Sequence, residues 1–235
     1  MIYVTSDIHG TFSLFYKLLI KINFSAGDRL YILGDALDKG REAENLCLLS
    51  FIKEQNNIFL LKGNHEYLCE RYLAGVISSE LWDACGGALT RREVDRLTST
   101  ERFRLLDYLR RLPLYANIEI RGERYFLTHS GYDADCCVTN PETGLIDIEN
   151  SVRKAAETDQ EKYLFSDDIH LIPASLCFDR KIIVGHRPTL LLPDFGEPRI
   201  FYSRNYIDID TGNDRREAGG RLACLCLESG VEFYV

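Results

Sequence analysis

The sequence predicts an α/β fold in a single domain spanning residues 1–235, and three observations carry that reading. Short apolar runs alternate with helix-period segments over the first sixty residues, residues 66–113 are almost wholly helical in pattern, and the last third is a series of short strand-like runs.

In order, the strand-like run Ile2–Thr5 precedes Phe12, Phe15, Leu18, Leu19 and Ile22, which recur at helical spacing. The same alternation continues with residues 30–33, a helix carrying Leu46, Leu49 and Ile52, and residues 58–61. This is a βαβαβ pattern, and apolar runs that do not alternate with polar residues suit parallel strands buried on both faces, with helices as crossovers. In the helical insert of residues 66–113, Thr98 and Glu101 are spaced as a capping box before Phe103, Leu105, Leu106 and Leu109, and Pro113 stops the helix. Residues 115–121 and 124–128 read as a hairpin turning at Gly122-Glu123. A helix over residues 151–163 lies within an irregular stretch. Residues 181–184, 199–202, 206–209, 221–227 and 231–235 form a β-rich end, which predicts a second, mostly antiparallel sheet.

With 235 residues, 46% of them hydrophobic, the chain can bury a full core. Its net charge of -8 argues against nucleic-acid partners, which demand a basic face, and against anionic membranes. A phosphate substrate would have to find its positive charge in metals or in a few arginines. The eight cysteines include no C-x-x-C pair and read as free thiols, as in a reducing compartment. With no basic leader and no apolar run long enough to span a bilayer, the expected location is the cytoplasm. Nothing in the sequence sets the oligomeric state.

Four of the five histidines lie next to a glycine or one residue from it, each at the end of an apolar strand: D-I-H-G at 7–10, G-N-H-E at 63–66, H-S-G at 129–131 and G-H-R at 185–187. A fifth strand ends in G-D-A-L-D-K-G at 34–40. Ligands gather outside the carboxyl ends of strands, so the five loops are expected to meet in one crevice. Asp7, His9, Asp35, Asn64, His129 and His186 then offer carboxylates, an amide oxygen and neutral imidazoles without thiolate, a donor set for two divalent cations: manganese first, with iron or zinc also suited. Asp7 and His9, two apart, are expected on the same side of an extended segment and on one ion. Asp35 is the candidate shared ligand, and Asn64, His129 and His186 would complete the second site. Two cations held about 4 Å apart make a bridging hydroxide available for in-line attack on phosphorus. His65, oriented by Asp38, is the candidate donor of the proton that the leaving oxygen needs.

Each cluster also has a purely structural explanation. Asn64 could cap a helix with Glu66 in its first turn. Five polar clusters at five strand ends would each need such an explanation separately. His170, without a glycine neighbour, reads as a surface or satisfied core residue, and Cys136-Cys137 and Cys224/Cys226 read as packing.

At these residues the sequence resembles the calcineurin-like metallophosphoesterases, and within them the phosphoprotein phosphatases, especially small bacterial and phage serine/threonine phosphatases. The resemblance runs nearly end to end: SDIHG, GDALDKG, GNHE, THSG and VGHR stand where that family has GDxHG, GDxVDRG, GNHE, H-G/A-G and a late GH. The segments WDACGGALT (82–90) and IDIDTG (207–212) also look like the phage-type members. The resemblance implies a four-layer αββα sandwich with two mixed sheets, metals at its top edge, and the same roles for the six ligands, His65 and Asp38.

The sequence departs from that pattern where the family holds substrate phosphate. Lys39 replaces an arginine, keeping charge but losing the bidentate fork. No arginine stands in YLFSDD (163–168), where bacterial members commonly carry another. Arg187, in place of the usual threonine after GH, is with Lys39 the candidate substrate-binding pair, and Arg41 and Arg216 are more remote substitutes. The first function expected is metal-dependent hydrolysis of a phosphomonoester, with a phosphorylated protein or a small phosphoester as partner. The alternatives are a symmetric dinucleoside tetraphosphate hydrolase and a metal-binding pseudophosphatase. The GNHE motif favours the first.

Overall fold

In the computed structural model, which describes residues 1–40, 44–173 and 175–235, the first five elements follow the predicted order. They are β1 (Ile2–Thr5), α1 (Phe12–Lys21), β2 (Arg29–Ile32), α2 (Asn45–Glu54) and β3 (Ile58–Leu60). β2 lies between β1 and β3 and is parallel to both. The insert follows as α3 (Asn64–Leu73), α4 (Ser79–Ala84), α5 (Ala88–Asp95) and α6 (Ser99–Arg110), beginning two residues earlier than its apolar pattern suggests. α6 starts at the predicted capping box, in which Glu101 N donates to Thr98 Oγ1 at 3.3 Å and Thr98 N donates to Glu101 Oε2 at 2.8 Å.

The hairpin of β4 (Tyr115–Ile120) and β5 (Glu123–Thr128) turns one residue earlier than expected. Ile120 pairs with Glu123, and Arg121 and Gly122 have φ of 54° and 85°, the left-handed pair that a tight two-residue hairpin turn requires. α7 (Ile148–Leu164), β6 (Lys181–Val184), β7 (Phe201–Tyr202), β8 (Tyr206–Asp208), β9 (Ala223–Cys226) and β10 (Glu232–Tyr234) complete the chain.

Two expectations about the second half are corrected. Its sheet, ordered β4-β5-β6-β8-β7, is mixed: β6 pairs parallel with β5 and with β8, and only the outer pairs are antiparallel. α7 acts as the crossover between β5 and β6 that parallel pairing needs. β9 and β10 do not extend this sheet. They return to the first, where β9 pairs antiparallel with β1 to give the order β10-β9-β1-β2-β3. An apolar run reports that a strand is buried and not which neighbour it takes.

Three apolar layers separate four layers of structure. Val4, Leu33, Leu61, Leu127, Ile183 and Leu225 meet between the sheets. Phe15, Leu18, Leu48 and Ile52 of α1 and α2 cover the outside of the first sheet over Leu30 and Ile32. Val152, Ala155 and Tyr163 of α7 cover the second over Phe126, Ile182 and Val184. Along β6, Ile182 and Val184 face outward and Ile183 inward, which is why the run has no polar alternation. Each such fully buried side chain contributes about 1.5–3 kcal/mol. The eight cysteines are free, and four of them are buried. Among the described residues, no helix is long and apolar enough to cross a membrane.

Candidate metal centre

The loops that follow β1, β2 and β3 on one sheet and β5 and β6 on the other meet at one edge of the sandwich. They bring all six candidate ligands together. Asn64 Oδ1 lies 2.8 Å from His129 Nε2 and 3.1 Å from His186 Nδ1, and His129 Nε2 lies 3.4 Å from Asp35 Oδ1. His9 Nε2 is 3.8 Å from Asp7 Oδ1, and Asp7 Oδ2 accepts from His186 N at 3.1 Å. The ligand atoms of His9, Asp35 and His65, and those of Asp35, His129 and His186, form two groups each within 4.8 Å, so Asp35 belongs to both.

The backbone carries these side chains in an uncommon conformation. Asp7, His9, Asp35, Asp38, Lys39 and His186, with φ between 50° and 74°, are six of the eight described non-glycine residues with positive φ. Residues 7–9 are therefore not the extended segment expected from their spacing, and Asp7 and His9 approach each other through left-handed turns. Such residues each cost roughly 1–3 kcal/mol and persist only where the surroundings over-determine them. Here the loops are cross-tied: Asp7 N donates to Gly34 O at 3.2 Å, His9 N to Asp35 O at 3.0 Å and Gly10 N to Ala36 O at 2.7 Å.

Glu66 supplies the strongest tie. Its fully buried carboxylate accepts from Gly63 N (2.9 Å), Asp35 N (2.8 Å), Ala36 N (2.9 Å) and Leu37 N (3.2 Å). Glu66 thus caps α3 from its first turn, and the cap position falls to Gly63 and not to Asn64, whose amide is left to face the histidines. The sequence signal was an acidic residue in a first helical turn, and nothing local foretold the three donors from the 35–37 loop. Glycines beside the ligands make room for carboxylates: a Cβ at Gly63 would sit 2.2 Å from Asp35 Oδ1, and one at Gly185 would sit 2.4 Å from Asp7 Oδ2.

The centre is short of positive charge. Burial raises Asp7 to about 6 and, with the nearby charges of Asp7 and Glu66, holds Asp35 well above the usual carboxylate range. Burial likewise keeps His9 and His129 neutral far below their ordinary range and lowers His186 to about 4. Asp7 Oδ1 is buried without a hydrogen-bond partner among the described residues. Asn64 Oδ1 points at ring nitrogens, an arrangement that is favourable only if those nitrogens carry protons, if the amide is reversed so that its NH₂ donates to Asp35 at 3.2 and 3.3 Å, or if a cation stands among them. His9 Nδ1 lies 3.1 Å from Leu37 O and His129 Nδ1 2.9 Å from Leu33 O, which leaves each Nε2 free to ligate. Oxygen and imidazole donors without thiolate fit two hard-to-borderline divalent ions.

His65 and Asp38 form a buried pair, with Nδ1 2.9 Å from Asp38 Oδ2 and Nε2 turned toward Asp35 Oδ2 at 3.8 Å. Burial lowers the His65 pKa, and Asp38 offsets part of that shift. Trp82 Nε1 also donates to Asp38 Oδ2, at 2.7 Å, a contact that sequence reading did not foresee.

The candidate phosphate-binding residues are more scattered. Lys39 lines a cleft of about 150 Å³ with His9, Gly40, Asn213 and Arg216. Burial works against its ammonium, but Asp35, Asp214 and Asp7 outweigh it and raise the pKa. Arg216 Nη1 donates to Asn213 Oδ1 at 3.0 Å. Arg187 Nη1 donates to Asp167 Oδ2 at 2.9 Å and lines a separate cavity of about 280 Å³ with His170, Phe195 and Tyr206. Asp167, whose Oδ1 lies 3.8 Å from His186 Nε2, is in the segment where the resemblance leads one to look for an arginine. Arg41 lies outside the described residues. The His170 ring is largely buried, with Nδ1 3.1 Å from Tyr206 OH.

Comparison with known proteins agrees with this geometry. Over 132 residues, 55% of this chain and 44% of the relative, the chain is 31% identical to a symmetrical bis(5'-nucleosyl)-tetraphosphatase of Delftia acidovorans. Over 135 residues, 57% of this chain and 60% of the relative, it is 30% identical to serine/threonine-protein phosphatase 1 of Salmonella typhimurium. The matched stretch thus spans about half the length of these relatives. The structure of a protein serine/threonine phosphatase from Saccharomyces cerevisiae shares the fold, with a TM-score of 0.55 at 17% identity over 95% of this chain and 71% of that one. The profile of the calcineurin-like phosphoesterases matches residues 1–222, and with two mixed sheets between helical layers and His/Asp groups at their common edge, the chain belongs to the calcineurin-like phosphoesterase family.

Proposed function

We propose that the chain is a dinuclear metal-dependent phosphoesterase that hydrolyses phosphomonoesters in the manner of a serine/threonine phosphatase. The observation that carries this reading is that Asp35 lies within 4.8 Å of His9 in one group and of His129 and His186 in another, with Asp7 against His9 at 3.8 Å and His65, paired with Asp38, on the same side as His9. Asp7, His9 and Asp35 would hold one ion, and Asp35, Asn64, His129 and His186 the other, with manganese proposed ahead of iron or zinc. When bound, the two cations supply Lewis-acid activation of water and of the phosphoryl oxygens. His65 donates a proton from Nε2 to the leaving oxygen, and Asp38 holds its Nδ1–H so that the ring faces the reacting group. Lys39, on the cleft beside His9, lends positive charge to the substrate phosphate. Arg187 gives one guanidinium N–H to Asp167 and keeps its other donors for a phosphate.

Support for the phosphatase reading comes from the GNHE motif and from the Salmonella phosphatase, of which the match spans 60%. The tetraphosphatase match, at 31% identity but 44% of that protein, favours a second reading, cleavage of a dinucleoside tetraphosphate. The test is turnover by the manganese-loaded protein of p-nitrophenyl phosphate, a phosphothreonine peptide and diadenosine tetraphosphate. Preference for the peptide supports the first reading, and preference for the tetraphosphate replaces it with the second. No turnover of any substrate, with both ions bound, would leave a pseudophosphatase.

A further inference from the structure

Trp82 is the single tryptophan of the chain and is fully buried. It stands on α4, in the insert, and its polar atom faces the candidate site. Nε1 donates to Asp38 Oδ2 at 2.7 Å, and that same oxygen lies 2.9 Å from His65 Nδ1. The other carboxylate oxygen, Oδ1, is buried with no hydrogen-bond partner among the described residues. Both donors therefore converge on one oxygen.

Two neighbours hold the indole. Tyr72 packs on it with ring centroids 4.9 Å apart, and Gly87 lies so close that a Cβ there would come within 2.2 Å of the ring. The preceding residue, Gly86, accepts from Lys39 N at 3.0 Å and lies against the Lys39 side chain. The W-D-A-C-G-G run at 82–87 thus grips residues 38 and 39 at adjacent points, one through a side chain and one through the backbone.

A carboxylate that offers either oxygen to an imidazole leaves the ring several directions. One whose oxygen is already pinned by a rigid N–H leaves it one, and hydrogen bonds to a charged acceptor are the strong and directional ones. We propose that Trp82 is a positioning residue for His65, acting through Asp38, and that the insert thereby sets the direction in which the proton is delivered. The proposal rests on the reading of His65 as proton donor given above.

Because the chain has one tryptophan, growth on benzothienylalanine, which puts sulfur in place of the indole N–H at nearly the same shape, alters position 82 alone. Trp82→Phe serves as a second variant. General acid catalysis is worth roughly 10²–10⁴-fold, and disordering the donor without removing it should lose about tenfold in kcat on a phosphoserine peptide, a poor leaving group. Turnover of p-nitrophenyl phosphate, whose leaving group needs little protonation, should stay within about twofold, with manganese occupancy unchanged and Tm lowered by no more than the loss of one buried hydrogen bond to a carboxylate accounts for in the benzothienyl protein. In a His65→Asn background the replacement should cost nothing further, since the two changes act through one group. Equal losses on both substrates, or a further loss in that background, would overturn the proposal. If His65→Asn is leaving-group dependent and the benzothienyl protein is indifferent, the Trp82 proposal alone falls. If His65→Asn slows both substrates alike, the donor reading falls and takes the proposal with it.

Discussion

The two sheets contribute to one centre but hold their contributions differently. On the first sheet, Asp7, His9, Asp35 and Asp38 are almost completely buried, and the loops that carry them are tied by backbone hydrogen bonds, by Glu66 and, at Asp38, by Trp82. On the second sheet, His129 is anchored through its ring to Leu33 O. His186 stands nearer the surface, facing an Asp167 side chain that is 47% exposed and already paired with Arg187. The difference is one of fixation: the first-sheet side chains are held by the loops that carry them, whereas His186 shares its surroundings with a part-exposed ion pair.

The largest effect that would sharpen this comparison is expected at Asp35. Asp35→Asn should reduce bound manganese below two ions per chain and lower turnover by well over the 10–100-fold that loss of an outer-shell partner typically costs. Retention of two tightly bound ions by metal analysis would refute the sharing of Asp35. Next is Glu66→Gln, which puts an NH₂ group against backbone N–H groups that now share a carboxylate. Urea unfolding should register a loss of about 3 kcal/mol. A loss under about 1 kcal/mol would mean that the loops of the first sheet hold themselves.

The smallest effect tests the second sheet. Burial, and then the charge of Arg187, lower His170 to about 4 from an ordinary 6.5. Because the folded-state pKa is depressed, its contribution to stability is complete above pH 6.5 and is lost as pH falls toward 4. Between pH 7 and pH 5 this amounts to a loss on the order of 2 kcal/mol. His170→Phe should narrow the drop in unfolding free energy between those two pH values by that much in metal-free protein, and an unchanged drop would show that the ring titrates freely.

The candidate ligands were legible because each belongs to a local signal, a short polar motif containing a glycine at the end of an apolar run. The βαβαβ unit and the capped helix α6 were legible for the same reason, since their period and end residues lie within one short window. What long-range pairing decides was not: β9 and β10 crossing back to β1, and the parallel β5–β6–β8 core. The same holds within the site. The spacing of Asp7 and His9 says nothing of left-handed φ, and neither Trp82 nor Glu66 lies within 25 residues of Asp38 or Asp35 along the chain. Lys39 and the absence of an arginine at 163–168 were visible as departures, but the pairing of Arg187 with Asp167 required coordinates.

One carboxylate, that of Glu66, receives amide protons from residues 35, 36, 37 and 63. Those four protons should therefore exchange with solvent at a common rate, released only when the first turn of α3 and the 35–37 loop open together. Fraying of the insert at that turn and loss of the crevice would then be a single event, giving this part of the domain the cooperativity of one unit although it is drawn from two stretches of chain.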